Sequence, residues 1–261
     1  MSVKLIYSSP IWLIANGIRY SHDNHHLSDT KTVFICNECY EQIIDNINKK
    51  LYCPKCGTEM KIDKNVESTI GTKDYDLIKR VGFKMKHESV LEHSLIVFEF
   101  EASRALLQEL SRHRIGVSPT VKSTRYTLKE LKKEKSFCDG SMYVDFERAK
   151  KYVVLTGDID IDTLIVDSLE NLRILCNINK SNDTLKYALP EAFKFKGQYS
   201  FNLRSLVHLL ELRTNKDVLP EFQQLCKDII DVLPDDYKEL VLTNEKIRTN
   251  YERIKNDCKS N

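Results

Sequence analysis

Two C-x-x-C pairs, Cys36-x-x-Cys39 and Cys53-x-x-Cys56, lie thirteen residues apart, and thiolates spaced in this way leave the intervening chain little structural choice. The second pair sits in CPKCG, a tight knuckle that aims two thiolates and nearby backbone N–H groups at one metal ion. Zinc favours four such ligands in a tetrahedron, and a site closed by four thiolates keeps no open position for chemistry. The expectation is a structural zinc ribbon in which the metal replaces the core that so short a stretch cannot build. Thiol redox chemistry or a catalytic metal is the alternative. His22, His25 and His26 are either extra ligands or exposed loop histidines. Ribbons often grip nucleic acid, but here Glu38, Glu41 and Asp45 stand against only Lys49, Lys50 and Lys55, so no phosphate-gripping face is evident.

The other four cysteines, Cys138, Cys176, Cys226 and Cys258, are scattered. That distribution predicts a metal site plus free thiols in a reducing compartment rather than a disulfide framework. The apolar start from Leu5 to Ala15 is interrupted by Pro10 and lacks a basic leader, so it does not read as a signal peptide. No apolar stretch approaches the roughly 18 residues that a spanning helix needs. A cytoplasmic protein with no membrane partner is expected. The formal charge of +2 gives no global attraction for polyanions, so any anion site must be local.

Residues 2–7 read as a strand, and Pro10 opens an apolar segment with helical spacing. The composition then changes, which predicts an inserted ribbon module at 25–66 within a larger domain formed by 1–24 and 67–261. Asp74 to Met85 reads as an amphipathic helix. Residues 94–102 read as a strand feeding a helix from Ser103, a candidate N-cap, to His113. Asp160 to Cys176, Asn182 to Leu189, Leu203 to Leu212 and Pro220 to Val232 read as helices, Phe193 to Asn202 as a strand, and Asp235 to about Cys258 as one terminal helix. Helices and strands mix without βαβ alternation or a glycine-rich phosphate loop, so the fold class is α+β.

Arg112, Arg114 and Arg125 crowd around His113, with Ser118, Thr120, Ser123 and Thr124 among them. Arginine offers a planar fork to phosphate and the hydroxyls add neutral donors, so RHRIGVSPTVKSTRY reads either as an anion-binding loop or as a solvated basic helix end.

The RHR…S-x-R-Y run resembles the signature of the flavin-dependent thymidylate synthases. KHESVLEH at 86–93 is similar to that family's G-H-x-S/T-x-x-E-H element, and NLRSLVHLLELR at 202–213 is similar to its N-x-R-S-x-x-x-F-x-x-x-R helix. The resemblance implies FAD, dUMP as acceptor, methylene-tetrahydrofolate as carbon donor, NADPH as reductant, and a homotetramer with active sites shared between subunits. Carried over by position, Ser21, Arg112, His113, Arg114, Asn202, Arg204 and His208 would contact the flavin, and His87 and Ser89 would meet flavin or folate. Gln108 or Glu109, Arg112, Ser123, Thr124, Arg125 and Lys186 would hold the nucleotide. Arg213 would polarise the uracil.

Departures from the pattern are visible. Eight residues separate Arg114 from Ser123 where seven are common, so the loop must bulge. Val121 replaces a usual acidic residue, Lys186 an arginine, His208 an asparagine and Asp217 a histidine, and the ribbon is not general in the family. Without a cysteine attacking the ring, methylation at C5 needs negative charge stabilised on the uracil edge, the role that the resemblance gives Arg213. Two rivals stand beside this reading: a variant that leaves a hydroxymethyl pyrimidine, and a flavin-free nucleic-acid-binding protein that uses the ribbon.

Overall fold

The computed structural model describes residues 1–138, 144–178 and 180–260, with no side-chain description for 258–260; the Cys258 thiol therefore lies outside the described residues. In chain order the elements are β1 (Ser2–Ser8), α1 (Trp12–Tyr20), β2 (Lys31–Ile35), β3 (Gln42–Asn46), β4 (Lys61–Ile62), α2 (Thr72–Ile78), β5 (Ile96–Ser103), α3 (Arg104–Leu110) and β6 (Val117–Val121). They continue with α4 (Thr124–Leu131), α5 (Phe146–Ala149), α6 (Ile159–Asn177), α7 (Asn182–Leu185), β7 (Lys194–Phe201), α8 (Leu203–Arg213), α9 (Pro220–Val232), α10 (Asp235–Leu242) and α11 (Glu245–Ser260). No helix among the described residues is long and apolar enough to cross a membrane.

One compact unit comprises Met1–Leu5, Phe98–Ser200 and Lys216–Val232. It carries most of a four-stranded sheet in the order β1-β5-β7-β6. In β7, Phe195, Gly197, Tyr199 and Phe201 are buried in strict alternation, the period of a strand with two unlike faces. Ser103 caps α3 as its sequence position predicts: its hydroxyl accepts from Leu106 N at 3.1 Å, and its own N–H donates to Glu221 at 2.8 Å. A helical layer closes over Leu131, Tyr152, Val166, Leu169 and Phe193, all buried; each such side chain contributes roughly 1.5–3 kcal/mol on leaving water. Glu170 ties the preceding segment to α6 by accepting from Arg173, Phe137 N and Ser136. The Arg173 guanidinium is the main reason that its carboxyl falls to about 2.

The other unit comprises Ile6–Val97, Phe201–Asn215 and Leu233–Asn261. Its ribbon is a three-stranded sheet in the order β3-β2-β4, with β2 antiparallel to both neighbours and Phe34 paired with Ile43 on one side and Ile62 on the other. Its buried interior is little more than Phe34, Met60 and two of the cysteines. Lys31 and Thr69 exchange both backbone hydrogen bonds, at 2.9 and 2.8 Å, so the excursion closes on itself. Below that closure lies Asp74, almost wholly buried, which accepts from Arg19 Nε at 2.6 Å and Thr30 Oγ1 at 2.6 Å, and also from Ser28 Oγ. Burial pushes its carboxyl up, but the hydroxyls and the Arg19 guanidinium together outweigh that and hold it below the usual range. Asp29 accepts from the first backbone N–H groups of α2, Lys73 N at 2.9 Å and Asp74 N at 3.0 Å. A Cβ on Gly71 would sit 2.1 Å from Asp29 Cγ, so only glycine lets that carboxylate reach the helix end.

In the first unit the helix expected over Asn182 to Leu189 is α only to Leu185, before a 3-10 turn over Lys186–Ala188; in the second, two expected elements differ. The helix expected over Asp74 to Met85 is α only to Ile78 and then widens into a π turn over Lys79–Lys84, where Gly82 is pressed so close to Leu91 that a Cβ would lie 2.7 Å from its Cδ2. The single terminal helix is two. Asn244 accepts from Lys246 N at 3.1 Å and starts α11 as a new helix.

Candidate functional site

In the second unit the two family-like motifs at 86–93 and 202–213 meet. Asn202 caps α8 by accepting from Ser205 N at 2.8 Å, and Ser94 accepts from Leu203 N at 2.8 Å. This fixes the helix so that Arg204 and His208, one turn apart, share an exposed face. The Arg204 guanidinium lies 2.7 Å from Glu92 and 3.6 Å from Glu88. Arg204, His208, Glu211, Phe83 and Leu91 line a small cavity of about 110 Å³. His208 is thus no core residue, although its helix is apolar. Arg213 is half-buried in the last turn of α8.

A larger cavity of about 1130 Å³ in the same unit brings Ser21 and His87 together. Ser21 Oγ donates to Ile18 O at 2.7 Å and lies 2.7 Å from His22 Nδ1. Lys73, Lys79, Arg80 and Lys84 line it against Asp76, a surplus of positive charge that suits an anionic ligand. Ser89 does not line it; it is exposed in the short 3-10 turn after His87. The lysines and arginine of the π turn are site-lining residues that the sequence reading missed. Their signal was the basic run around Gly82, and π turns recur at functional positions.

In the first unit Arg112, His113 and Arg114 follow the end of α3. Arg112 and Arg114 are exposed, while the His113 ring stands edge-on to Phe222 at 6.3 Å. Gln108 donates to the Glu191 carboxylate at 3.0 and 3.1 Å, and Glu109 is half-buried beside it in sequence. The bulged loop expected between Arg114 and Ser123 is instead strand β6 at the sheet edge, where Pro119 costs no ladder bond. Its end is held by Lys122 N donating to Lys196 O at 2.8 Å.

Ser123 then caps α4, accepting from Arg125 N at 3.4 Å, with Thr124 half-buried as the first helical residue. The Arg125 fork is engaged by Asp183, with Nε at 3.1 Å and Nη2 at 2.9 Å from its oxygens. Lys186 Nζ lies 3.2 Å from the same carboxylate. Two cations from distant parts of the sequence therefore converge on one anionic group. Asp183 is a further residue that the sequence reading missed, although its i,i+3 spacing to Lys186 was on view.

The four cysteine sulfurs gather as the spacing predicts. Cys36 and Cys56 are 3.5 Å apart, Cys39 and Cys53 3.3 Å, Cys39 and Cys56 3.8 Å, and all four lie within 4.8 Å of one another. A zinc–sulfur bond of about 2.3 Å implies tetrahedron edges near 3.8 Å, so the cluster fits that ion. Both knuckles close alike: Tyr40 N donates to Cys36 O and Gly57 N to Cys53 O, each at 2.9 Å. Both donors are in the left-handed region, at φ 60° and 75°. His22, His25 and His26 stay outside this group; His25 stacks on Tyr20 instead.

Comparisons with known proteins agree with this arrangement. The profile of the family described as Thymidylate synthase complementing protein matches residues 23–235. A flavin-dependent thymidylate synthase from Wolinella succinogenes is 45% identical over 177 residues, covering 67% of this chain and 84% of that one. One from Helicobacter pylori is 47% identical over 172 residues, covering 65% and 82%. The crystal structure of thymidylate synthase X from Helicobacter pylori with FAD and dUMP superposes with a TM-score of 0.73 at 34% identity, covering 95% of this chain and 99% of that one. The α+β class expected from the sequence holds, with the mixed helices and antiparallel sheet of those enzymes. The conjunction of three ordered motifs, a matching profile and a superposable fold leaves one conclusion: the chain belongs to the flavin-dependent thymidylate synthase family.

Proposed function

We propose that this enzyme methylates dUMP to dTMP, with methylene-tetrahydrofolate as carbon donor, FAD as cofactor and NADPH as reductant, in a cytoplasmic homotetramer whose active sites are completed across subunits. The observation that carries the reading is the convergence of Arg125 and Lys186 on one carboxylate, Asp183, in a cationic seat, in a family whose solved relative is described with FAD and dUMP. The seat has the charge and the planar fork that a phosphomonoester needs. FAD fits the donor set: Ser21 and His87 share a roomy cavity rich in cations, and Ser89, Asn202, Arg204, His208, Arg112, His113 and Arg114 complete the proposed cofactor contacts. Reduced flavin supplies, when bound, the hydride that completes the methyl group.

The chain's own work is orientation and charge. Arg125 and Lys186 hold the phosphate, Ser123 and Thr124 the start of α4 against the nucleotide, and Gln108, Glu109 and Arg112 the remaining nucleotide contacts. Holding the acceptor beside the carbon donor converts a bimolecular encounter into an oriented one. Arg213 stabilises charge on the uracil edge. The expected result is a flavin absorbance spectrum in the purified protein and dTMP from dUMP, methylene-tetrahydrofolate and NADPH. Mass analysis that finds hydroxymethyl-dUMP instead, or a colourless protein, overturns the reading.

The ribbon is proposed as an inserted module, residues 25–66, closed by one structural zinc on Cys36, Cys39, Cys53 and Cys56. Elemental analysis should find about one zinc per chain. A metal-free preparation with a folded ribbon refutes this.

A further inference from the structure

The seat formed by Arg125 and Lys186 is filled by part of the protein itself. Asp183 meets the Arg125 fork through both oxygens at 2.9 Å from Nη2, with Nε at 3.1 Å, while Lys186 Nζ approaches at 3.2 Å. All three groups are substantially exposed, the side chains of Arg125 and Asp183 retaining 58% and 62% of their accessibility. Burial therefore does not force this pairing, and a ligand from solvent can reach it. The local frame is fixed: Asn182 Nδ2 donates to Arg125 O at 3.4 Å, and Ser181 Oγ accepts from Thr184 N at 3.1 Å. The short helix bearing Asp183 and Lys186 is thus tied directly to the helix bearing Arg125.

We propose that Asp183 is a specificity-determining residue, a built-in carboxylate that occupies the phosphate seat and must be displaced by the phosphomonoester of the nucleotide. This deepens the reading above and rests on its assignment of Arg125 and Lys186 to the phosphate. The charge count gives the reason. Two cations against one carboxylate leave the seat with one net positive charge; a phosphate dianion added without displacement would leave it negative, with two anions in contact. A guanidinium fork fits carboxylate and phosphate with the same bidentate geometry, so the exchange needs no new architecture. The Arg125 guanidinium, followed by Lys186, also holds the Asp183 carboxyl below the usual range, so it competes as an anion.

The consequence is selectivity by charge. A monoanionic carboxylate ligand gains nothing over the group already present, and a neutral nucleoside has no group for the seat. Only a dianion displaces Asp183 with profit. An exposed ion pair contributes at most about 1 kcal/mol, so removing the competitor should tighten phosphate binding about fivefold.

The test measures equilibrium binding of dUMP and of deoxyuridine to flavin-loaded wild type, Asp183→Asn and Arg125→Ala. Asp183→Asn should bind dUMP about fivefold tighter, with deoxyuridine affinity unchanged, while Arg125→Ala binds dUMP more weakly. If Arg125→Ala weakens dUMP binding but Asp183→Asn leaves it unchanged or weaker, Asp183 organises the fork rather than competing for it, and the inference is wrong while the phosphate assignment stands. Equal tightening of dUMP and deoxyuridine by Asp183→Asn also overturns it. If Arg125→Ala leaves dUMP binding intact, the phosphate assignment itself fails.

Discussion

Arg213→Ala should lower single-turnover dTMP formation by about 10²–10³-fold at saturating dUMP, with flavin retained. On the proposed reading, negative charge must build on the N3 and carbonyl edge of the uracil to make C5 nucleophilic, before C5 gives that electron density to the one-carbon unit, while the phosphate is gripped elsewhere. A donor aimed at that charge acts on the transition state more than on the ground state, so its loss appears in turnover rather than in affinity. Removing one preorganised donor from such a site costs about 3–4 kcal/mol. Arg125→Ala provides the contrast, because its proposed partner is the phosphate, whose charge does not change during the reaction; its loss should appear mainly in dUMP affinity. Wild-type turnover by Arg213→Ala once dUMP saturates would make Arg213 a binding residue only. Its place in the last turn of α8 gives it a second, structural use in complementing the helix dipole, so circular dichroism of the variant should accompany the kinetics.

Asp74→Ala should destabilise the fold by about 3–5 kcal/mol at neutral pH, because it strands the Arg19 charge in a buried site. Arg19 and Asp74 side chains retain only 10% and 2% of their accessibility, and two hydroxyls lose their acceptor at the same time. The pH dependence has a definite sign. The folded carboxyl is held below its ordinary value, so the stabilisation is fully present above the unfolded value near pH 4 and is lost as pH falls through the lower folded value. Denaturant titrations at pH 7 and pH 3 should show the gap between wild type and Asp74→Ala narrowing in acid. A constant gap would mean that packing, not charge, is what the substitution removes.

The parts of this protein that were readable in advance are those whose signals are local. Ser103 announces its helix because a cap needs only the three residues that follow it, and Pro220 opens α9 for the same reason. The cysteine quartet is legible because spacing alone brings two knuckles into register. The failures come from contacts that span the chain. β6 is a strand because β7 lies beside it, and nothing in SPTV states that. The π turn after Ile78 accompanies the approach of Gly82 to Leu91, a packing demand invisible in a helical wheel. Asn244 is the exception, a local signal: a capping residue with Glu245 in the first turn is a recognisable helix start, masked by the charged pattern that runs through it. At the candidate site, the motif residues were readable and their acidic partners were not, since Glu92 and Asp183 acquire meaning only when Arg204 and Arg125 arrive from elsewhere.

The mutual backbone pairing of Lys31 and Thr69 uncouples the chain between them from the residues on either side. Residues that exchange both hydrogen bonds across an antiparallel pair have Cα atoms only about 5.5 Å apart, less than two steps along the chain. The cysteine-bearing excursion thus leaves and rejoins the rest of its unit through one close backbone pair, and Asp29 and Asp74 secure the joint from below. Such a doorway is indifferent to the length of what lies beyond it, because loop-closure cost grows only slowly with loop size. The excursion can therefore change in length while the residues on either side of it keep the same spacing.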